Sequence, residues 1–517
     1  MSSAVLSGGW GSVAAFGLTL LVAGWLWGDS NWARACWGVA VLAITPLVLL
    51  LSVTGDNEAS LPHVRLALIA GALIVGLAGL VATTAVFVRW PRLIAPAALL
   101  ALPFRVPLAV GGQSVKLLLP LYLVIAAAVL ALFWQAVVHS QPQSSEPRGR
   151  RRLDLVLAVV VVLYGLQSIY SADANVAIQN IAFFYAPFAL LYGVVSRIAW
   201  DRRLVNVCLA SAIGLALVLV GVGFIEYARG EYLVRPGGIQ ANDFDPYFRI
   251  QSLFFDPNIF GRFLVVVMLL TTAAMLQARE ALRAGAFGAV IAVLWAGLVL
   301  TLSQSSFLAL LAGLIAIAAL QWRTRLVLAT VAGLAALAVI ATVAFPSAVG
   351  IDLSSTRALQ KTTSGRFDLV TGGVDLWVKK PVFGYGSGSF SREFSDQNFA
   401  ANEGNGESTT SKSHTAPLTV AAEQGLLGLI GFGLFSWFGF STVMQGAARR
   451  NRPGVGARIG VAAAFTAVFV HSLSYAALLE DPLTWTLLGS AVGLAGMRRE
   501  SPESKKPTVV MPAEASA

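Results

Sequence analysis

The residues best suited to chemistry fall in two stretches. The first runs from Arg249 to Arg262 and contains Asp256-Pro257-Asn258. Asp followed by Pro is a helix start: Asp caps the orphan backbone N–H groups and Pro fits the first helical position. This spacing predicts a helix entering an apolar run from Asn258, with Arg249 just ahead of it and Arg262 about one turn in. A helix N-terminus flanked by arginines suits an anion, because N–H groups and guanidinium forks both match phosphate oxygens. Two readings fit Arg262: a functional cation held at cost inside a membrane, or a side chain snorkelling to the interface.

The second stretch begins at Arg366. Phe367, Val370, Val374 and Trp377 lie at helical spacing and predict an amphipathic helix, lying on a membrane or roofing a cavity. Thr363 or Ser364 suits its start, Lys379 and Lys380 its end, and Pro381 stops it. His414 follows, where the chain re-enters an apolar run. In one straight helix, Gly425 would fall about 20° ahead of His414 and Gly428 about 40° behind it, giving a glycine-floored groove on one face. Glu423 would lie on the opposite face, as a buried polar group bonded to a neighbouring helix or as part of a binding site. Gln304, within Ser303-Gln304-Ser305-Ser306, sits in a tight polar turn that could face a cavity. His471, flanked by apolar residues and Ser472, reads as an interhelical hydrogen-bonding group, whereas His63 and His139 lie in short polar junctions. Asp56 and Glu58 have no further metal ligand near them, and no P-loop, GxSxG, HExxH or CxxC motif is present.

The elements that must position these residues follow from composition. Of 517 residues, 57% are hydrophobic and only 12% charged, about half the charged share of a soluble domain. A soluble enzyme, a nucleic-acid binder and a disordered scaffold are therefore excluded as readings of the whole chain. Apolar runs long enough to cross a bilayer lie near 10–27, 35–53, 66–88, 93–110, 117–138, 153–170, 178–198, 204–226, 258–277, 285–302, 306–321, 326–345, 417–444, 458–477 and 483–497. Only helices satisfy the backbone in lipid at such lengths, so the expectation is an all-α polytopic membrane protein of about 12–15 transmembrane helices. The net charge of +10 fits basic residues gathered in short cytoplasmic loops. Clusters at Arg89–Arg92, Arg148–Arg152, Arg202–Arg203, Arg279–Arg283, Arg323–Arg325, Arg449–Arg458 and Arg498–Arg499 alternate with connections read as outer, including two long ones, 227–257 and 346–413.

The expected divisions are 1–152, N-terminal helices with a cytoplasmic linker; 153–345, central helices with the 227–257 loop; 346–413, the large outer loop; 414–499, C-terminal helices; and 500–517, a polar, disordered cytoplasmic tail. Cys36 and Cys208 both sit in apolar runs and read as core thiols.

Over roughly residues 205–445 the sequence resembles the O-antigen ligase and polymerase superfamily of bacterial envelope glycosyltransferases. Arg249 and Leu253 match its R-x3-L pattern; His414, Gly425 and Gly428 match H-[NSQ]-x9-G-x2-[GTV], with Thr415 departing at the second position. The resemblance implies a glycan donor carried on undecaprenyl pyrophosphate, and a glycan, lipid or protein hydroxyl as acceptor. It implies no metal, nucleotide or other cofactor, no nucleic acid, and a lipid-facing groove on the periplasmic face of the bacterial inner membrane. His414, Arg366 and Arg249 would be catalytic: the arginines stabilise the departing pyrophosphate and the histidine takes the acceptor proton. Arg262, Asn258, Gln304 and Glu423 would contact or position the donor. A polymerase that extends lipid-linked glycan is the alternative within the superfamily. A transporter of lipid-linked glycan would instead need polar residues through the midplane and repeat symmetry, and a scaffold would not need arginines and a histidine gathered on two loops.

The charge alternation makes a direct prediction. Cysteines introduced at Asn242 and Asn405 should both react with an impermeant thiol reagent on intact cells or spheroplasts. Labelling of either only after lysis overturns the orientation.

Overall fold

The computed structural model describes residues 3–53, 63–110, 113–138, 148–234, 247–322, 324–327, 329–333, 366–401, 415–448, 454–475 and 477–497. They form helices α1 (Ser3–Trp27), α2 (Asn31–Val53), α3 (His63–Arg89), α4 (Ile94–Ala101), α5 (Leu119–Val138), α6 (Arg148–Ser168), α7 (Ala174–Asn180), α8 (Ala186–Arg197), α9 (Arg202–Arg229), α10 (Pro257–Met275), α11 (Ala281–Thr301) and α12 (Gln304–Gln321). After these come α13 (Arg366–Lys379), α14 (Phe390–Ala401), α15 (Ala416–Ala448), α16 (Val455–Ser472) and α17 (Pro482–Ala495). The architecture is all-α, and among the described residues ten helices are long and apolar enough to cross a membrane, or eleven if α3 and the segment after its 116° bend count as one span. Beside these, α6 begins with a run of arginines and α17 has 14 residues. Most of the expected run at 326–345 lies outside the described residues.

One expected run is corrected. Residues 93–110 are not a continuous helix: α4 stops at Ala101 and the chain continues as an antiparallel hairpin, β1 (Val106–Val110) with β2 (Gln113–Leu117), Val106 paired with Leu117. Pro103 and Pro107 account for the break, because proline has no N–H to give to a helical ladder. Arg105 sits at the junction.

Packing follows from small residues. Gly24 on α1 receives the ring of Trp37 on α2, and Gly38 on α2 receives Trp25 on α1. Gly313 on α12 lies against Leu269 on α10, and Gly261 on α10 against Ser306 on α12. Such close approaches carry helix association where lipid tails are as apolar as the side chains. Large apolar side chains such as Val218, Leu308 and Trp437 are exposed on the perimeter, as a lipid-facing surface requires. The core of the bundle is α10, packed on α11, α12 and α16, with α17 laid along α8 and α15 along α6.

The bundle has two chemically different ends. At one, Arg92 pairs with Asp201 at 3.2 Å, Arg458 donates to the Leu494 carbonyl, and Trp200 packs on Gly493. At the other, the N-termini of α10, α12 and α17 and the C-terminus of α16 converge on a buried polar layer.

Candidate active site

The polar layer is organised by the start of α10. Asp256, in extended backbone, accepts from the N–H groups of Asn258 (2.7 Å) and Ile259 (3.1 Å), with Pro257 at the first helical position. The two connections around it are strained. Among the described residues, the non-glycine residues in the left-handed region are Ser252, Phe255 and Leu302. Such conformations cost roughly 1–3 kcal/mol each and persist where surrounding contacts overdetermine them. Those contacts are visible: buried Glu226 at the end of α9 accepts from the Gln251 and Ser252 N–H groups at 3.2 and 2.9 Å. The Ser252 hydroxyl donates to the Leu219 carbonyl, and Ile250 N–H bonds the Leu300 carbonyl.

This scaffold aims Arg249 at Asn258. The Arg249 guanidinium donates from Nε to the Thr301 carbonyl (2.9 Å) and from Nη2 to Asn258 Oδ1 (3.1 Å). The same Asn258 oxygen accepts from the Ser303 hydroxyl at 2.8 Å. Ser303 also lies 3.2 Å from Ser305 Oγ and 2.9 Å from Ser306 Oγ, and Ser305 lies 3.1 Å from His471 Nε2. A hydrogen-bonded chain therefore runs from fully buried His471 on α16 through the head of α12 to Arg249. Gln304, within that turn, is exposed.

Arg262 lies one layer deeper on α10. It does not snorkel: its side chain is 2% exposed and ion-paired to Asp481, itself 3% exposed. Asp481 also caps α17 through Leu483 N–H at 2.8 Å. Tyr475, on the connection from α16 to α17, donates its hydroxyl to Asp256 Oδ2 at 2.6 Å and stands beneath the Arg262 guanidinium. Burial, reinforced by the Asp256 carboxylate, raises the Tyr475 phenol well above its usual value, so it acts as a donor. Next along the layer, Glu480 accepts from Tyr185 at the end of a π-helical turn, Ile181–Tyr185.

Glu423 is buried, as expected of a polar group bonded to a neighbouring helix. Its carboxylate holds the loop before α14 and the first residue of that helix: Oε2 accepts from Gly388 N–H (2.9 Å) and Oε1 from Phe390 N–H (3.2 Å). The straight helix beneath His414 is also corrected. Gly425 has φ +63°, so α15 is kinked there. A Cβ at Gly425 would strike the Val382 carbonyl, and one at Gly428 would strike Gln424. Gly425 admits the loop from Pro381 to Gly388, whereas Gly428 makes room for side chains of its own helix, so the two do not floor one groove. That loop is fixed further by Gly386 N–H on the Glu423 carbonyl and Leu426 N–H on the Pro381 carbonyl, at 2.8 Å each.

Helix α13 forms where its spacing predicts, yet its packed face is another one. Leu376, with Leu369, joins Phe390, Phe394 and Ala422 in a small core, because Gly372 and Gly373 let Phe394 and Leu418 approach. Val370, Val374 and Val378 are exposed instead. Arg366 is the first residue of α13. His414 lies outside the described residues, immediately before α15.

The structure thus brings Arg249, Asn258 and Arg262 together at the head of α10 and sets Glu423 beneath the loop that follows α13. Sequence reasoning missed Arg105, Tyr475 and Asp481. Asp481-Pro482 carries the same capping signature as Asp256-Pro257 and could have been found that way.

The model of a family described as O-Antigen ligase matches residues 289–433. That stretch runs from within α11 to within α15 and holds Gln304, Arg366, His414 and Glu423; Arg249, Asn258 and Arg262 precede it. It places residues 289–433 in the O-antigen ligase superfamily. No curated protein matches the chain.

Asn258 generates a prediction. Asn258→Ala removes the acceptor shared by Arg249 and Ser303, while Asn258→Asp retains an acceptor for both. Leaving a charged donor without its partner costs roughly 1.5–3 kcal/mol. The Ala variant should lower the detergent-solubilised protein's melting temperature and its activity, and the Asp variant should recover most of the stability. Equal melting of Ala variant and parent would show that the bond does not hold the site.

Proposed function

We propose that the chain is a membrane glycosyltransferase that moves a glycan from undecaprenyl pyrophosphate to an acceptor hydroxyl at the outer face of the cytoplasmic membrane. The observation that carries this reading is the O-antigen ligase match over residues 289–433, on a multi-pass helical protein with Arg249 and the buried Arg262 at the head of α10. The acceptor oxygen attacks the anomeric carbon, the bond from that carbon to the pyrophosphate oxygen breaks, and undecaprenyl pyrophosphate leaves. The acceptor proton passes to His414. Negative charge develops on the leaving pyrophosphate, so preset cations lower the barrier most if they need no reorganisation. The bonds of Arg249 to Thr301 and Asn258 supply that preorganisation, and Arg366 at the head of α13 is assigned the same role. Arg262 and Asn258 hold the donor side, Gln304 contacts it from the exposed turn, and Glu423 serves by fixing the loop between α13 and α14. With the leaving group already activated, the reaction as written calls for no metal or nucleotide.

Product analysis with purified protein and lipid-linked glycan alone tests the reaction. No change until an acceptor is added is the expected result. A ladder of longer glycans on the same lipid would assign the polymerase reaction instead, and no product under either condition would sink the reading.

His414 makes a separate prediction. A general base contributes roughly 10²–10⁴-fold, so His414→Ala and His414→Gln should both lose activity on that scale while still binding donor. The base must be neutral, so the rate should rise with pH through the ordinary histidine range near 6.5, and this limb should vanish in both variants. A Gln variant within a few-fold of the parent would leave His414 only a hydrogen-bonding role.

A further inference from the structure

Arg105 lies outside the matched region, on the short link between α4 and the β1–β2 hairpin, in a part of the chain that carries none of the site residues assigned above. The fold brings it to the head of α10. Its guanidinium is within electrostatic reach of Asp481, Arg262, Tyr475 and Asp256. The side chain is half-buried, whereas Arg262 behind it is 2% exposed. Arg105 is thus the more solvent-exposed of the two cations and Arg262 the deeper.

The hydrogen bonds around this pair do not balance. Three of the four carboxylate oxygens of the two neighbouring aspartates accept hydrogen bonds, and the fourth, Asp481 Oδ2, makes none but stands in the ion pair with Arg262. Asp256 Oδ1 caps α10 and Oδ2 takes the Tyr475 hydroxyl. Asp481 Oδ1 caps α17 and Oδ2 takes the Arg262 ion pair. On the donor side, Arg262 Nε and Nη1 and Arg105 Nε are buried with no acceptor among the described residues. Among the described residues the two like-charged guanidiniums therefore leave three buried donors against one carboxylate oxygen without a hydrogen bond. Buried donors of charged groups are expensive to leave unmade, and planar forks of this kind match tetrahedral oxyanions. The group that completes such a site carries several acceptor oxygens and negative charge.

We propose that Arg105 and Arg262 together form a seat for a phosphoryl oxyanion, with Arg105 as its solvent-side contact, and that on the reading above its occupant is the pyrophosphate of the lipid-linked donor. Asp481 keeps Arg262 aimed and holds the pair together between turnovers. The N-terminal third of the chain thereby supplies a substrate-binding residue to a site otherwise built from α9 to α17.

The test uses the full-length protein in nanodiscs of zwitterionic lipid, with undecaprenyl pyrophosphate and undecaprenol as probes, and Arg105→Gln and Arg105→Lys as variants. Losing one charge-assisted fork should weaken undecaprenyl pyrophosphate binding by roughly tenfold or more in the Gln variant. Lys should fall between Gln and parent, because it keeps the charge and loses the fork. Undecaprenol binding should be unchanged in all three. Gln-variant affinity for the pyrophosphate lipid within two-fold of the parent overturns the seat while leaving the proposed reaction standing. An equal loss for both lipids, or a Lys variant as weak as the Gln variant with a lowered melting temperature, assigns Arg105 a structural role and also overturns it. A parent protein that binds neither lipid removes the seat and the donor assignment together. Displacement of the probe by equimolar phosphatidylglycerol would identify an ordinary headgroup phosphate as the occupant and overturn the pyrophosphate assignment.

Discussion

A guanidinium buried inside a helical bundle has to be answered by a carboxylate, and the arrangement of this protein's polar end follows from how Arg262 is answered. Asp481 reaches it only because the link from α16 to α17 crosses the head of α10. Removing one partner of a buried ion pair costs roughly 3–5 kcal/mol, whereas replacing both with apolar groups is often neutral. The pair is therefore poor evidence of a stability device, since leucines would pack here as well. What it achieves is register. It fixes α17 against α10, and with that Tyr475 against Asp256, whose other oxygen caps α10. One charge thus ties together the termini from which the remaining site groups project.

The second feature is strain placed beside these groups. Ser252, Phe255 and Leu302 adopt left-handed backbone without being glycine, and they flank Arg249 and Asn258 on one side and Ser303 on the other. Glu226 holds the first connection from below through two backbone N–H groups. The consequence is a set of side chains whose bonds lead to fixed backbone: Arg249 to the Thr301 carbonyl, and Ser303 to the head of α12. A site of this kind changes little when substrate arrives, which suits the stabilisation of developing charge.

The fold was largely legible in the sequence because hydropathy and lipid leave helices as the main solution, and the spans follow the apolar runs closely. It failed where proline intervened, at 93–110, since composition averages over a break that a missing N–H decides. Arg249, Asn258 and Arg262 were legible because Asp256-Pro257 announces a helix start and arginines are rare within apolar runs. The partners of Arg262 were not, because Arg105, Tyr475 and Asp481 reach it from distant parts of the chain and no local pattern links them. Glycines were the harder case. The spacing of Gly425 and Gly428 fits a groove only on a straight helix, yet a positive φ at Gly425 kinks it and makes Gly425 alone the seat for the loop after α13. Likewise the valine stripe of α13 was visible, while the face that packs was set by Gly372 and Gly373, whose missing side chains carry no hydropathic signal.

The two halves of the polar end are held in different ways, and that difference bears on the chemistry. The arginine side rests on long helices and buried carboxylates. The side that carries α13 and α14 rests on a hydrogen-bonded loop: Glu423 bonds two backbone N–H groups between Gly384 and Phe390, Ser387 bonds the Tyr164 carbonyl, and three glycines with positive φ sit against backbone atoms of Ser171, Ala177 and Glu423. Under the proposed reading, the arginine side faces the pyrophosphate, which is the same in every turnover. The other side carries Arg366 and exposes Val370, Val374 and Val378, and it borders the place where an acceptor must enter. A donor site gains from being preset, because charge develops there in the transition state. An acceptor site has to admit a bulky glycan or lipid, and the exposed valine face of α13 offers that side an apolar surface separate from the arginines at the head of α10.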